Sequence, residues 1–232
     1  MVKLTRMAFL RQRVIEPELL DHADPAAARL NLADIVRLNR HFGGHNILRG
    51  LLREVVVPSE RFTLLDVGAA SGDTAQVVRA LYPKATVVNL DCNEVNLSTA
   101  PHPKILGDAF RMPVRDRCVD FVLCSLFLHH FSDERVIELL RALYKIANRA
   151  VLISDLERHI ASYWFLPMTG PVLGWGPITI HDGMISVRAS FKAGELAELA
   201  RRAGIGKVRV KTHRPAFRVS MIAPVKRKVS PD

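Results

Sequence analysis

The sequence predicts an α/β protein with a doubly wound, mostly parallel sheet of seven strands, N-terminal helices and an aromatic insertion. Short apolar runs that end in an acid or a small residue alternate with segments of helical apolar spacing, which is typical of βαβ units. The last two strand-like segments, at residues 207–212 and 217–223, are separated by a short loop. Two strands joined so closely can pair only as antiparallel neighbours, so we expect the last strand to run against the others.

The first 56 residues are predicted to be mainly helical. Asp24 followed by Pro25 is typical of an N-cap and the first residue of a helix. Apolar residues at helical spacing run on to Phe42, where Gly43 and Gly44 interrupt the pattern, and residues 45–56 resume it. We therefore expect two N-terminal helices beside the sheet or over the ligand site.

The strands and helices of the sheet follow in alternation. Strand patterns precede the last two at residues 62–67, 86–90, 105–106, 119–124 and 149–154, and helical patterns lie at residues 74–81, 95–100, 134–147 and 192–203. Residues 224–232 have the composition of a frayed tail. These segments define one predicted domain over residues 57–232, preceded by the helical segment 1–56.

Residues 158–190 interrupt the alternation. They contain both tryptophans, Trp164 and Trp175, among several prolines and glycines. A long loop inside a compact domain is usually functional or disordered, and aromatic content argues against disorder. We interpret this segment as an aromatic loop that forms a lid or part of a substrate pocket, with a surface excursion packed on itself as the alternative.

Composition and charge limit the classes of function. No apolar run approaches the roughly 20 residues that a membrane helix needs, and the first residues do not read as a signal peptide. Three cysteines, an odd number, favour a reducing cytoplasm over disulfides or a zinc site, and we predict no metal.

The net charge is +10, and residues 201–232 hold ten Lys or Arg against one acid. A solvated basic tail or weak contact with an anionic surface would explain this segment; no aromatic residues alternate with its last basic ones, so we expect no nucleic acid.

Polar residues at the ends of the predicted strands indicate a nucleoside-type ligand. Small residues and glycines follow the first strand at residues 68–72, and Asp91 ends the second strand, 23 residues after Gly68. That spacing suits an acid that accepts ribose hydroxyls, in either a nicotinamide or an S-adenosyl cofactor. Asp73 begins the helix after the loop, where its charge would repel a pyrophosphate, although it would also stabilise the positive end of that helix. Asp66 at the strand end and Asp108 after the third strand add two further acids, which favour a cationic ligand with an adenine.

These residues resemble the class I S-adenosylmethionine-dependent methyltransferases, whose fold is Rossmann-like. Residues 66–72 are similar to the first motif of the family, with Ala70 in place of its middle glycine. Asp91 matches the ribose-binding acid, residues 107–110 match the adenine-contacting motif, and residues 119–131 resemble the fourth strand with a trailing Leu-His-His segment. This Leu-His-His version resembles the subgroup that methylates quinones, polyketides and other small molecules. The resemblance covers roughly residues 45–223.

The resemblance implies S-adenosylmethionine as the cofactor and a set of residues that bind it: Asp66, Gly68, Ala69, Ala70, Gly72, Asp91, Cys92, Asp108, Ala109, Phe110 and Ser125. Arg37 and Asn39 are further candidates for the carboxylate of the methionine end, with solvation or helix packing as the alternative.

An acceptor hydroxyl needs a base, and His129 or His130 is the first candidate because imidazole titrates near neutral pH. The alternatives are that one of the two histidines is structural, that His181 or Asp182 in the insertion is the base, or that the acceptor ionises unaided.

The leading hypothesis is therefore methyl transfer to a hydroxyl of a small aromatic or polyketide-like acceptor. C-methylation of quinone-type substrates, a nicotinamide-dependent oxidoreductase and a non-catalytic binding module are the alternatives. Methylation of a base amine in nucleic acid is disfavoured, because residues 125–128 read Ser-Leu-Phe-Leu and lack the Pro-Pro-aromatic motif of such enzymes.

Overall fold

A single mixed sheet of seven strands organises the protein. The structure is a computed structural model that describes residues 10–226, with the backbone alone at Asp21. The strand order is β3-β2-β1-β4-β5-β7-β6; β7 runs antiparallel to both of its neighbours, and the other paired strands are parallel. The strands are β1 Thr63–Val67, β2 Thr86–Asp91, β3 Lys104–Leu106, β4 Val119–Ser125, β5 Ala147–Leu156, β6 Arg209–His213 and β7 Arg218–Pro224. The predicted fold class is confirmed.

Eight α-helices surround this sheet in the described part of the chain. They are α1 Pro25–His41, α2 Gly44–Arg53, α3 Asp73–Leu81, α4 Glu94–Ser98, α5 Asp133–Ile146, α6 Ile160–Leu173, α7 Pro177–Ala189 and α8 Ala193–Arg202. Short 3₁₀ turns lie at Leu19–His22 and Leu128–His130. The predicted N-cap of α1 is present: Asp24 accepts hydrogen bonds from the backbone N–H groups of Ala26 and Ala27.

The sheet buries both of its faces, because its central strands are apolar on alternate sides. Val67, Val122 and Ile153 belong to the apolar cluster that contains the buried side chains of α5 and α8. Leu64, Phe121 and Leu152 belong to the opposite cluster, which contains those of α2 and α3. The C-terminal ends of β1, β2, β4 and β5 therefore meet at one edge, with helices on both sides, which is where open α/β sheets bind their ligands.

The insertion at residues 158–190 is helical, so the expectation of an aromatic loop is wrong. Pro167 and Pro171 lie inside α6, although proline disfavours the interior of a helix when only the local sequence is considered. The helices α6 and α7 nevertheless pack closely, because a Cβ at Gly183 of α7 would lie 2.2 Å from Leu166 Cδ1 of α6. Three residues, Gly174, Trp175 and Gly176, separate the helices, and the pair packs as a helical hairpin.

The N-terminal end of the chain agrees with the expectation of two helices, whereas the C-terminal end differs. The helical pattern after Asp24 forms one continuous helix, α1, and the pattern after Gly43 forms α2. The frayed tail is predicted to begin at residue 224, yet Pro224 ends β7, and the Val225 N–H donates to the Arg149 carbonyl at 2.7 Å. Residues 227–232 lie outside the described residues. The division of the chain at residue 56 stays a prediction. The helix α2, which precedes that division, belongs to the same apolar cluster as Leu64, Phe121 and Leu152 of the sheet.

Candidate functional site

A tight loop at residues 68–72 joins β1 to α3 at the ligand-binding edge of the sheet. Gly68, Ala70 and Gly72 have φ values of 72°, 44° and 70°, so three residues of the loop adopt left-handed backbone. A Cβ at Gly68 would lie 2.5 Å from Cδ2 of Phe127, which packs directly on the loop from the segment after β4. Ala70, which replaces the middle glycine of the motif, keeps the left-handed conformation at a steric cost.

The acid at the end of β2 holds this loop. Asp91 Oδ2 accepts a hydrogen bond from the Ala70 N–H at 2.8 Å, and Asp91 Oδ1 accepts one from the Asn93 N–H at 2.9 Å. The carboxylate is half-buried, and its remaining lone pairs suit ribose hydroxyls. Cys92, the next residue, is exposed as a whole. Partial burial of its sulfur, and then the charge of Asp91, raise the pKa of the Cys92 thiol.

The other predicted cofactor residues lie on adjoining strand ends. Asp108, after β3, is exposed and accepts a hydrogen bond from the Phe110 N–H at 2.8 Å, while Ala109 is buried. The Phe110 ring packs edge-on against Phe131 at 5.1 Å between ring centroids. Ser125 ends β4 and is half-buried. The geometry thus brings an acid, an apolar surface and the loop to one edge, as an adenosyl group requires.

Asp66 is a buried acid near the end of β1. It is 1% exposed, and its Oδ2 has no hydrogen-bond partner among residues 10–226. Burial, then the nearby Asp73 and Asp91 charges, raise the pKa of Asp66 well above its ordinary value. Burying an unpartnered carboxylate is costly, and a cationic ligand would relieve that cost. Asp66 therefore fits the ammonium-bearing end of an S-adenosyl cofactor.

Asp73 at the start of α3 lies in a hydrogen-bond network with the N-terminal helices. Its Oδ2 lies 2.9 Å from His45 Nε2 and accepts a bond from Asn39 Nδ2 at 3.2 Å. Burial opposes ionisation of Asp73, but the bonds from His45 and Asn39 outweigh it, so the pKa of Asp73 is lowered. A charged carboxylate at this helix N-terminus disfavours a pyrophosphate, as the sequence indicates. Arg37, the other residue expected near the methionine end, instead pairs with Asp34 at 3.0 Å.

His129 and Asp155 form a buried pair at the ends of β4 and β5. His129 Nδ1 lies 2.6 Å from Asp155 Oδ1, and the two residues are 3% and 0% exposed. Burial alone would lower the pKa of His129, but the Asp155 charge and hydrogen bond outweigh it, so the pKa of His129 is raised. Burial likewise opposes the charge on Asp155, and His129 holds the pKa of Asp155 below its ordinary value. This bond fixes the imidazole so that Nδ1 is engaged and Nε2 is left for other contacts.

His130 differs sharply from its neighbour. The protein around its ring, and then the charge of His129, lower the pKa of His130, although 36% of its side chain is exposed. Its Nδ1 lies 3.7 Å from Oε1 of Glu18, which also accepts a bond from Ser186 Oγ at 2.5 Å. One carboxylate oxygen of Glu18 and one ring nitrogen of each histidine lie within 4.8 Å of one another, so these three residues are possible ligands of a cation. Of the two predicted bases, His129 has the pKa and the orienting carboxylate of a general base.

Residues 10–22 cross this pair as a strap. Arg13 Nη2 donates to the Phe131 carbonyl at 2.8 Å, its Nε donates to the Ala189 carbonyl at 2.6 Å, and its Nη1 pairs with Asp133. The strap continues at Asp182 of α7, whose carboxylate accepts the backbone N–H groups of Leu19 and Leu20, each at 2.9 Å. Its neighbour His181 bonds the same carboxylate at 2.9 Å and is mostly exposed. Of the two alternative bases in the insertion, Asp182 therefore holds the strap, and His181 contacts the carboxylate of Asp182.

Comparisons with known proteins agree with this geometry. Residues 65–151 match the family model of a methyltransferase domain. This region of the chain is similar to a methyltransferase domain. The match runs from β1 into β5 and includes the loop, Asp91, Asp108 and both histidines. It agrees with the resemblance given by the sequence motifs.

The methyltransferase domain has curated relatives of low identity. The chain is 27% identical over 95 residues to flavonoid 3'-O-methyltransferase 3 of Mentha piperita, which covers 40% of this chain and 26% of that enzyme. It is 28% identical over 127 residues to demethylmenaquinone methyltransferase of Thermotoga maritima, which covers 51% of this chain and 56% of that enzyme. The matched region thus spans about a quarter of one relative and just over half of the other.

A solved structure extends the likeness beyond the matched domain. The plantazolicin methyltransferase BpumL, in complex with SAH, superposes with a TM-score of 0.64 at 14% identity, over 87% of this chain and 90% of that chain. At this identity the likeness concerns the fold. It includes most of the chain, so the arrangement of sheet and helices around the methyltransferase domain recurs in BpumL.

Proposed function

We propose that this protein transfers the methyl group of S-adenosylmethionine to a hydroxyl of a small aromatic or polyketide-like acceptor. The single observation that carries the proposal is the buried His129–Asp155 pair, two residues beyond the Phe127 ring that packs on the loop at residues 68–72. A base held by a buried carboxylate beside a nucleoside cradle suits an acceptor that must lose a proton.

The cofactor, when bound, supplies an electrophilic methyl group on a sulfonium. On the protein side, the proposal assigns the ribose to Asp91, the adenine to the surface of Ala109 and Phe110 beside Asp108, and the ammonium to the region of Asp66. The presence of SAH in the BpumL structure supports an S-adenosyl cofactor for this fold. The remaining predicted contacts, at Gly68, Ala69, Ala70, Gly72, Cys92 and Ser125, line the same edge of the sheet.

His129 would accept the hydroxyl proton at Nε2, since its Nδ1 is bonded to Asp155. Asp155 would stabilise the imidazolium that results, and it would keep the ring oriented before the proton moves. Proximity and alignment of the acceptor oxygen and the methyl carbon would supply most of the rate. The strap and α7 lie over the pair and would keep water from it.

The names of the two curated relatives support a small planar acceptor. One is named for a flavonoid and the other for demethylmenaquinone. C-methylation of a quinone-type acceptor is the second candidate, supported by the second of these names.

A cytoplasmic location stays part of the proposal, supported by three free cysteines. No helix among residues 10–226 has the length and apolar character to cross a membrane. Weak contact of the basic C-terminal segment with an anionic surface also stays a proposal.

Calorimetric titration with S-adenosylhomocysteine tests the cofactor site. We expect binding by the wild type and about a hundredfold loss of affinity in Asp91→Ala, which removes a charged acceptor of hydrogen bonds. Absence of binding by the wild type would contradict the proposal. The acceptor is then sought by incubating the enzyme with a panel of phenols and hydroxyquinones and detecting a mass gain of one methyl group. A product that His129→Gln makes as fast as the wild type does would remove His129 from the mechanism.

A further inference from the structure

The outer side of the helical hairpin α6–α7 is an apolar surface that no element among residues 10–226 covers. Every exposed residue between positions 160 and 180 is nonpolar, and this stretch contains no charged residue. Trp164, Met168 and Val172 are 47%, 75% and 85% exposed, and their spacing of four residues places them along one side of α6. The exposed set is Ala161, Trp164, Met168, Pro171, Val172, Gly174 and Pro177. We call this set the α6 face.

The buried side of the hairpin contains two of its other aromatic residues. Phe165 packs against Phe42 of the α1–α2 turn at 4.9 Å between ring centroids, and Trp175 is 6% exposed and packs against the same ring. The inner helix α7 supplies Ser186 to Glu18 beside His130. The hairpin thus has one side directed to the candidate site, while the α6 face is directed to solvent.

Arginines border the α6 face. The charged residues exposed along α1 are Arg29, Arg37 and Arg40, whereas the acid of that helix, Asp34, is buried. Arg37 Nη2 donates to the Leu173 carbonyl at 2.9 Å, which places this side of α1 at the end of α6. Leu30, on the same side of α1, is 72% exposed and extends the apolar surface.

We propose that the α6 face and the arginines of α1 dock on an anionic lipid surface. An apolar helix side with an indole and a basic border is the composition of interfacial helices, which bury their apolar side at the level of the headgroups. Each basic side chain near such a surface adds attraction to anionic lipid. A second copy of this chain fits less well, because two molecules of net charge +10 repel each other. Docking here would place the hairpin over the candidate site at the surface where apolar acceptors partition.

Sedimentation with lipid vesicles tests the proposal on the full chain. We expect the wild type to bind vesicles that contain phosphatidylglycerol and to bind pure phosphatidylcholine weakly, with the difference reduced in high salt. Met168→Asp/Val172→Asp should weaken binding by about tenfold or more, because two charges enter the buried side of the contact. Val57→Asp is the matched control: Val57 is 64% exposed and lies outside the α6 face, so this variant should bind as the wild type does.

Tryptophan fluorescence gives a second measurement. With Trp175→Phe, Trp164 is the remaining tryptophan, and its emission should shift to the blue on anionic vesicles. Circular dichroism confirms that each variant is folded. Equal binding by wild type, Met168→Asp/Val172→Asp and Val57→Asp would overturn the proposal, as would the absence of vesicle binding by the wild type. A dimer that Met168→Asp/Val172→Asp dissociates would assign the face to a second copy. No cofactor or acceptor is present in these assays, so failure of the proposed methyl transfer would leave the result intact.

Discussion

Replacing Asp155 with asparagine removes the negative charge that raises the pKa of the buried His129 imidazole. The bond between His129 Nδ1 and Asp155 Oδ1 is 2.6 Å long, and neither residue is more than 3% exposed. A hydrogen bond to a charged group contributes about 1.5–3 kcal/mol. Since one pKa unit corresponds to about 1.36 kcal/mol, we expect the pKa of His129 to fall by about one to two units.

The direction of the pH dependence follows from this shift. In the wild type the pKa of His129 is raised, so the neutral imidazole that accepts a proton forms only as the pH rises above the ordinary value of 6.5. In Asp155→Asn the neutral form should persist to lower pH, and the acid limb of the rate profile should move with it. The rate at its maximum should nevertheless fall by about 10²- to 10⁴-fold, because the ring loses its orienting carboxylate.

Carbon-13 NMR of labelled histidine rings measures the titration without an acceptor. The chain has nine histidines, and the spectrum of His129→Gln identifies the signal. Asp120→Asn is the matched control. Asp120 lies near the start of β4, at the opposite edge of the sheet from His129, and accepts hydrogen bonds from the backbone N–H and the hydroxyl of Thr63. A pKa of His129 that is equal in wild type and Asp155→Asn would refute the reasoning, and so would an equal fall in Asp120→Asn.

Two further perturbations test the loop and the strap. Gly68→Ala should lower the free energy of unfolding by about 2–4 kcal/mol in urea denaturation, because the new Cβ meets Phe127 and the backbone has positive φ. Ala70→Gly should leave the free energy of unfolding unchanged or raise it by up to about 1 kcal/mol, because glycine adopts positive φ without steric cost. Similar losses in both would show that the loop relaxes freely. Arg13→Ala should cost about 2–3 kcal/mol by leaving buried carbonyls unpaired, and should speed amide exchange over residues 10–22. Arg11→Ala, an exposed side chain on the same segment, should change neither, and equal exchange in the two variants would count against the strap.

Much of the fold is local and could be predicted. The centre of β4, from Phe121 to Cys124, is apolar and buried on both faces, and Asp24 with Pro25 marks the start of α1. The hairpin at residues 158–190 could not be predicted, because Pro167 and Pro171 favour a loop in isolation. Contacts with Phe42 and Gly183 override that local preference, since burial of the aromatic rings stabilises the helices more than the prolines destabilise them.

The candidate site divides in the same way. The loop, Asp91, Asp108 and the two histidines were all identifiable from motif spacing, and they converge because parallel strands end at one edge. The role of Asp155 was not, because in the sequence an acid near the end of the fifth strand is only one of several polar residues at strand ends. Glu18 carried no signal, since a single acid in the polar N-terminal segment resembles any other surface residue. An acid that ends the strand after a Leu-His-His segment is a pattern that could have identified Asp155.

The sequence by itself therefore determined the order of strands and helices and the nucleoside cradle at residues 68–72. These depend on apolar periodicity, on glycine at positive φ and on acids at strand ends, all of which are properties of short segments. The tertiary structure alone decided which histidine has a carboxylate partner, because His129 and Asp155 are 26 residues apart and meet only when β4 and β5 pair. It also decided that Arg13 and Glu18 cover that pair and that α6 presents an apolar face. Contacts between distant segments form only when the sheet brings them together, so no local pattern encodes them.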